Sequence, residues 1–141
     1  DGQDADLAFG DTAQLVYITP VFAALTTTVS LATSQPVVIR CTGCSTASTM
    51  TLSTTCDGSL VTGALVGLQT AAAALAATLT LGVPTWTASV DAPFLSLGRL
   101  YKICLDLDGS GPLLMGDTGF EIYVTPLRTV YNASVHPDPE Q

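Results

Sequence analysis

The sequence predicts an all-β fold, an antiparallel β-sandwich, and three observations carry that prediction. Short stretches alternate apolar and polar residues between turn signals, as in 37–42 (VVIRCT), 48–56 (STMTLSTTC) and 99–108 (RLYKICLDLD). Thr and Ser supply 31 of the 141 residues, and β-branched Thr favours extended backbone. Residues 9–21, FGDTAQLVYITPV, return as residues 115–127, MGDTGFEIYVTPL, at a shift of 106 from Gly10 to Gly116. That period is the size of one sandwich-type domain.

The elements follow in chain order. Residues 1–12 are acidic and read as a flexible lead. Residues 13–25 read as a strand with two apolar faces, Leu15, Tyr17, Val21 and Leu25 on one parity and Val16, Ile18 and Phe22 on the other. Residues 26–32 are the first strand of the module, broken at Gln35-Pro36. The next strand sets Val37, Ile39 and Cys41 against Arg40, and the one after sets Met50 and Leu52 against Thr49, Thr51 and Ser53. Asp57-Gly58 is a turn, and residues 59–68 are a further strand candidate.

The Ala tract carries two patterns. Leu65, Leu68, Ala72, Leu75 and Leu79 keep helical spacing, and Ala favours helix, so a short helix over 69–77 is expected. Beyond it, Leu79, Leu81 and Val83 alternate as a strand does. In 99–108, Tyr101, Ile103, Leu105 and Leu107 point inward, with Lys102, Asp106 and Asp108 outward. Residues 119–127 close the module, and Pro137 and Pro139 mark 133–141 as a linker or tail. The expected division is a lead and donor strand at 1–25, a module at 26–132 and a tail at 133–141.

The repeat points to assembly. Its first copy keeps Gly10-Asp11-Thr12 and Thr19-Pro20, the backbone signals of the closing strand, but has Leu15 where Glu121 stands and Phe22 where Arg128 stands. A spare closing strand without a wet face has to be buried, and a neighbouring copy is the natural acceptor. Leu15, Val16, Tyr17, Ile18, Val21, Phe22 and Leu25 are the expected interface residues.

Composition narrows the partners. Net charge is −8, with only four basic residues, which excludes nucleic acid and anionic membrane surfaces. Only 11% of residues are charged, so burial in an assembly or a glycan coat is needed to keep the surface soluble. Asn132-Ala133-Ser134 is a glycan acceptor pattern, and Asn132 is the expected attachment site. The uncharged stretch 58–90 is diluted by Gln69, Thr and Gly and reads as part of the module, not as a membrane span.

Catalytic chemistry fails on inventory. His136, the one histidine, lies in the Pro-rich tail, and no nucleophile elbow or phosphate loop is present. The chain reads as a non-enzyme. Cys41, Cys44, Cys56 and Cys104 are too irregularly spaced for zinc and read as two structural disulfides of an extracellular protein. Three connectivities are open. Cys41–Cys104 with Cys44–Cys56 fits the strand separation of immunoglobulin sandwiches, though Cys104 shares its parity with Lys102 and Asp106. Cys41–Cys56 with Cys44–Cys104 is the other pairing weighed. No cofactor is required. Asp106, Asp108 and Asp117 are the one carboxylate set able to offer oxygens to calcium, although Asp-x-Asp-Gly lacks the rest of a calcium loop.

LYKICLDLDG (100–109) followed by GDTGFEIYVTP (116–126) resembles the last two strands of immunoglobulin-like modules strung in tandem on extracellular proteins of algae and other protists, including flagellar mastigoneme-type filaments. The resemblance implies an Ig-like sandwich with a structural or adhesive role and supplies no active site. The expected function is a structural subunit of an extracellular filament or tandem surface array, self-associating head to tail by strand donation. A cell-surface adhesion or glycan-binding module is the alternative.

Overall fold

The computed structural model describes residues 19–57, 63–80, 83–110 and 116–127. Eight strands run in chain order: β1 (Val21–Ala24), β2 (Thr28–Val29), β3 (Gln35–Cys41), β4 (Thr49–Ser53), β5 (Ala73–Thr80), β6 (Val83–Val90), β7 (Leu100–Asp106) and β8 (Gly116–Val124). They form one sheet in the order β1-β3-β6-β5-β4-β7-β8-β2. Every pairing is antiparallel except β2 with β8.

Continuity of the sheet depends on β5. Its residues Ala73 and Ala74 pair with Met50 and Thr49 of β4, whereas Leu75–Thr80 pair with β6. The strand thus passes from one half of the sheet to the other. The sheet curls, and one apolar core receives side chains from all eight strands, among them Val21, Val29, Ile39, Met50, Leu75, Val90, Tyr101, Ile103 and Ile122. Period-2 alternation selects these residues: on β3, Val37, Ile39 and Cys41 are buried between more exposed neighbours.

The helix expected over 69–77 does not form, and no described residue is helical. Residues 73–77 are strand instead. Ala tolerates both states, and the ladder to β6 satisfies the backbone of 75–80 while burying Leu75 between exposed Ala74 and Ala76. The strand expected at 59–68 is also absent over 63–68, a loop with an isolated bridge between Leu65 and Gln69. The expected first strand at 26–32 shrinks to Thr28–Val29. Leu107, expected inward, lies past the end of β7 and is exposed. Among the described residues no helix is long and apolar enough to cross a membrane.

The outer face of β4 and β7 is also dry. Thr51 and Cys104, paired across these strands, are fully buried, and Cys56 and Ala72 pack over Cys104. This explains the disulfides. Cys104 points away from the core, as its parity requires, and bonds Cys56 on the outer face. Cys41 bonds Cys44 across its own turn. The pairing is thus the third connectivity, not Cys41–Cys104 and not Cys41–Cys56. No cysteine is free.

The two bridges differ in stabilising power. Cys56–Cys104 closes a separation of 48 residues, whereas Cys41–Cys44 closes only 3. Chain entropy assigns about 4 kcal/mol to the former and about 2 kcal/mol to the latter. Replacing Cys56 and Cys104 by Ser should therefore lower urea-unfolding stability about twice as much as replacing Cys41 and Cys44, as read by fluorescence of Trp86, the single tryptophan. Peptide mapping without reduction should recover the same two pairs and no titratable thiol.

Candidate assembly surface

The retained half of the repeat is a docking device in its second copy. Thr118 is buried, and its hydroxyl donates to the Ile103 carbonyl of β7 at 2.7 Å. The Asp117 carboxylate accepts from Lys102 Nζ of β7 at 2.6 Å and from the Gly119 N–H at 2.9 Å. The β7–β8 register shifts between Lys102 and Cys104, and Gly119 absorbs the irregularity at φ +76°. Ile122 and Val124 then enter the core, while Glu121 faces out.

The first copy keeps four docking residues and changes exposed Glu121, whereas core-packed Phe120 becomes Gln14 and exposed Tyr123 is kept as Tyr17. Asp11, Thr12, Val16 and Ile18 stand where Asp117, Thr118, Ile122 and Val124 stand, and Leu15 replaces exposed Glu121. Ala13 replaces Gly119, so the same positive φ would cost ~1–2 kcal/mol there. In the described module the place between β7 and β2 is already filled by β8.

The expected interface residues divide. Leu15, Val16, Tyr17 and Ile18 lie outside the described residues. Val21 does not belong to a donated strand: it is buried in the module's own core, opposite Cys41. Phe22 and Leu25 belong to the module too and are exposed on it. Pairing of β1 with β3 thus puts the start of the module before residue 26.

Where the chain enters and leaves is set by hydrogen bonds. The Pro20 carbonyl accepts from the Thr42 N–H, next to the C-terminal end of β3. At the other end, the Thr125 N–H donates to Val29 O, and the neighbouring Ser30 N–H donates to Gln35 Oε1 at the first residue of β3. The two ends are separated by the length of β3, ~20 Å for seven residues.

Each end is a tied cluster of loops. At the leading end, the Cys41–Cys44 bridge staples the 42–48 loop, and Ser48 Oγ donates to Leu107 O at 2.6 Å. Gly109 lies so close to the Ala47 carbonyl that no Cβ fits there. At the trailing end, buried Tyr101 joins two loops: its hydroxyl accepts from the Ser96 N–H at 2.9 Å and donates to Gly67 O at 3.0 Å. Gly67 N–H donates to Phe94 O, and Gly98 N–H to Val124 O. Neither the short Cys41–Cys44 staple nor the hydroxyl role of Tyr101 was read from the sequence; CTGC with its central Gly was the available signal for the staple.

The carboxylates do not assemble as expected. Among the described residues no three His, Cys, Asp or Glu side chains converge to hold a metal ion, so the calcium reading of Asp106, Asp108 and Asp117 lacks its ligand set. Asp117 is turned to Lys102. Asp106 is outward by parity but buried, with Oδ1 accepting from the Asp108 and Gly109 N–H groups. Its Oδ2 is buried without a partner, as is Oγ1 of Thr49 directly opposite on β4. Exposed Asp108 is held below the ordinary carboxylate range, first by the Ser110 N–H, which donates to its Oδ1. The stability it lends is therefore present at neutral pH and is lost as the pH falls through that lowered value. Asn132 lies outside the described residues.

Burial ranks the two polar contacts that dock β8. Lys102 and Asp117 are partly exposed, so their pair contributes about 1 kcal/mol or less. The Thr118 hydroxyl is buried, and losing it leaves the Ile103 carbonyl short of a donor at a cost of roughly 1–3 kcal/mol. Thr118→Val should therefore destabilise the fold more than Lys102→Ala, as read by urea unfolding.

No protein-family model matches the chain, and neither a curated protein nor a solved structure matches it.

Proposed function

We propose that the chain is a structural module of an extracellular filament or tandem surface array, in which residues 10–18 close an adjoining copy of the module. The observation that carries this reading is the selective repeat. Residues 10–18 keep counterparts of Asp117, Thr118, Ile122 and Val124, with which β8 grips β7 and the core, and lose the charge that faces water, Glu121; of the residues packed on the core, Phe120 alone becomes polar, as Gln14. A strand so composed suits the place between a β7 and a β2. Within the module β8 holds that place. The first copy therefore closes a different module, as the last strand of a preceding one in a tandem polypeptide or by exchange with β8 between chains.

In this reading the two halves of the curled sheet, β1-β3-β6-β5 and β4-β7-β8-β2, are the layers of an Ig-like sandwich. The chain from Leu25 to Val29 passes between them, leaving the Val38 carbonyl of β3 for Tyr123 of β8. Two disulfides are compatible with a secreted protein, and a glycan on Asn132 belongs to the same setting.

The test is Val16→Asp with Ile18→Asp in the full chain. Each wild-type side chain is worth roughly 1.5–3 kcal/mol on burial, so association followed by sedimentation should weaken on the order of 100-fold or more. In assembled wild-type material the amides of 10–18 should resist hydrogen exchange to the degree expected of 116–124, which pair with β7. Unchanged assembly of the variant, or free exchange of 10–18 in assembled wild-type protein, removes this segment as the joint. The truncation that probes the joint ends at residue 18, because Val21–Ala24 belong to the fold.

A further inference from the structure

We infer that the loops at the trailing end of the module form a docking surface for the leading end of the next copy of the same module, on the same polypeptide or on another. This rests on the tandem reading above and adds to it the surfaces in contact and their polarity.

The trailing end is conspicuously apolar for a set of exposed loops. Val66 is 81% exposed, and Phe94 and Leu97 are each 50% exposed. They sit on a fixed platform, since Tyr101, Gly67, Phe94, Gly98 and Val124 are tied together by hydrogen bonds. Large apolar side chains held on tied loops mark an interaction surface, because the loops cannot fold over to hide them.

The repeat identifies the occupant. Thr125-Pro126 is where the chain leaves the trailing end, and Thr19-Pro20, its counterpart, is where the chain reaches the leading end. A chain leaving one copy through Thr-Pro is therefore in phase to begin another. The residues that follow agree. At the same shift of 106, Leu127, Val130, Ser134 and Val135 stand where Val21, Ala24, Thr28 and Val29 stand. Those positions build β1 and β2, and Val21 and Val29 are core residues. A junction of two residues spans only ~7 Å, too short to let two modules tumble apart.

The leading end fits the role of partner. The loop 42–47 exposes small uncharged residues, Thr42, Gly43, Ser45, Thr46 and Ala47, on the Cys41–Cys44 staple. Leu107 is exposed beside it. Exposed Arg99 and exposed Asp91 both lie at the trailing end, so charge does not set the pairing. The contact is heterologous, so copies stack head to tail into a rod.

Cross-linking of the full chain tests this. Phe94→Cys places a thiol at the trailing end and Thr46→Cys places one at the leading end. Under mild oxidation at about millimolar concentration, an equal mixture of the two variants should form disulfide-linked dimers at least about tenfold faster than either variant alone. No cross-link in the mixture, or an equally fast one in Phe94→Cys alone, overturns the inference; the first outcome includes coverage of the patch by residues 128–141 of the same chain. A second variant, Val66→Asp with Phe94→Asp, alters only exposed side chains, and Trp86 fluorescence checks its fold. It should weaken association at least about tenfold, and unchanged association again overturns the inference. Failure here is distinguishable from failure of the strand reading. If Val16→Asp with Ile18→Asp leaves association intact while the trailing-end variant abolishes it, the strand reading falls and docking stands. The reverse result removes docking alone.

Discussion

The partner change within β5 is the constraint on which the fold depends. Residues 73–74 belong to β4 and residues 75–80 to β6, so one strand holds two four-stranded halves in register. Without that continuity each half would bury its apolar face only through side-chain contact. With it, the curl is imposed by backbone hydrogen bonds, and residues as distant as Val21 and Ile122 reach a common core. The Ala tract suits this crossing. Small side chains let a strand bend out of one half and into the other without a clash, which a run of Val or Ile would resist.

The core was legible in the sequence wherever one face stayed dry and the other wet. Period-2 alternation located Val37, Ile39, Met50, Leu52, Tyr101, Ile103 and Leu105, all buried. Besides Leu107 and residues 63–68, it failed in three places, each for a physical reason. At 69–77 propensity and helical spacing pointed one way, while a ladder to a distant strand decided the other. At 19–25 apolarity on both faces looked like burial in a foreign interface, whereas Val21 faces the module's own core and Phe22 is left exposed. The carboxylates were misleading because sequence proximity says nothing of direction; Asp117 is turned to Lys102, not to Asp106. At Cys104, by contrast, the parity was informative: a residue on the outer face needed an outer partner, and Cys56 supplies it.

The repeat gains meaning only when laid on the structure. In sequence, GDT followed by YxTP is a short match of the kind that any duplicated segment leaves. On the fold, the same residues have separate roles. Thr118 reaches a backbone carbonyl of the neighbouring strand, Asp117 takes its lysine, and Thr125-Pro126 carries the chain off the end of the sheet. The first copy repeats most of these residues and has Leu15 in place of the exposed Glu121.

The Cys56–Cys104 bridge has a mechanical consequence. A pull applied through Pro20 and Pro126 reaches the module at opposite ends of β3, so the load runs along the strands. Should the sheet tear, the segments outside the bridge would lengthen, but the loop between Cys56 and Cys104 could not. Its separation of 48 residues corresponds to ~170 Å of slack that remains locked. The stretched module would therefore retain β5, β6 and most of β7 inside a covalent loop, ready to re-form when the tension drops.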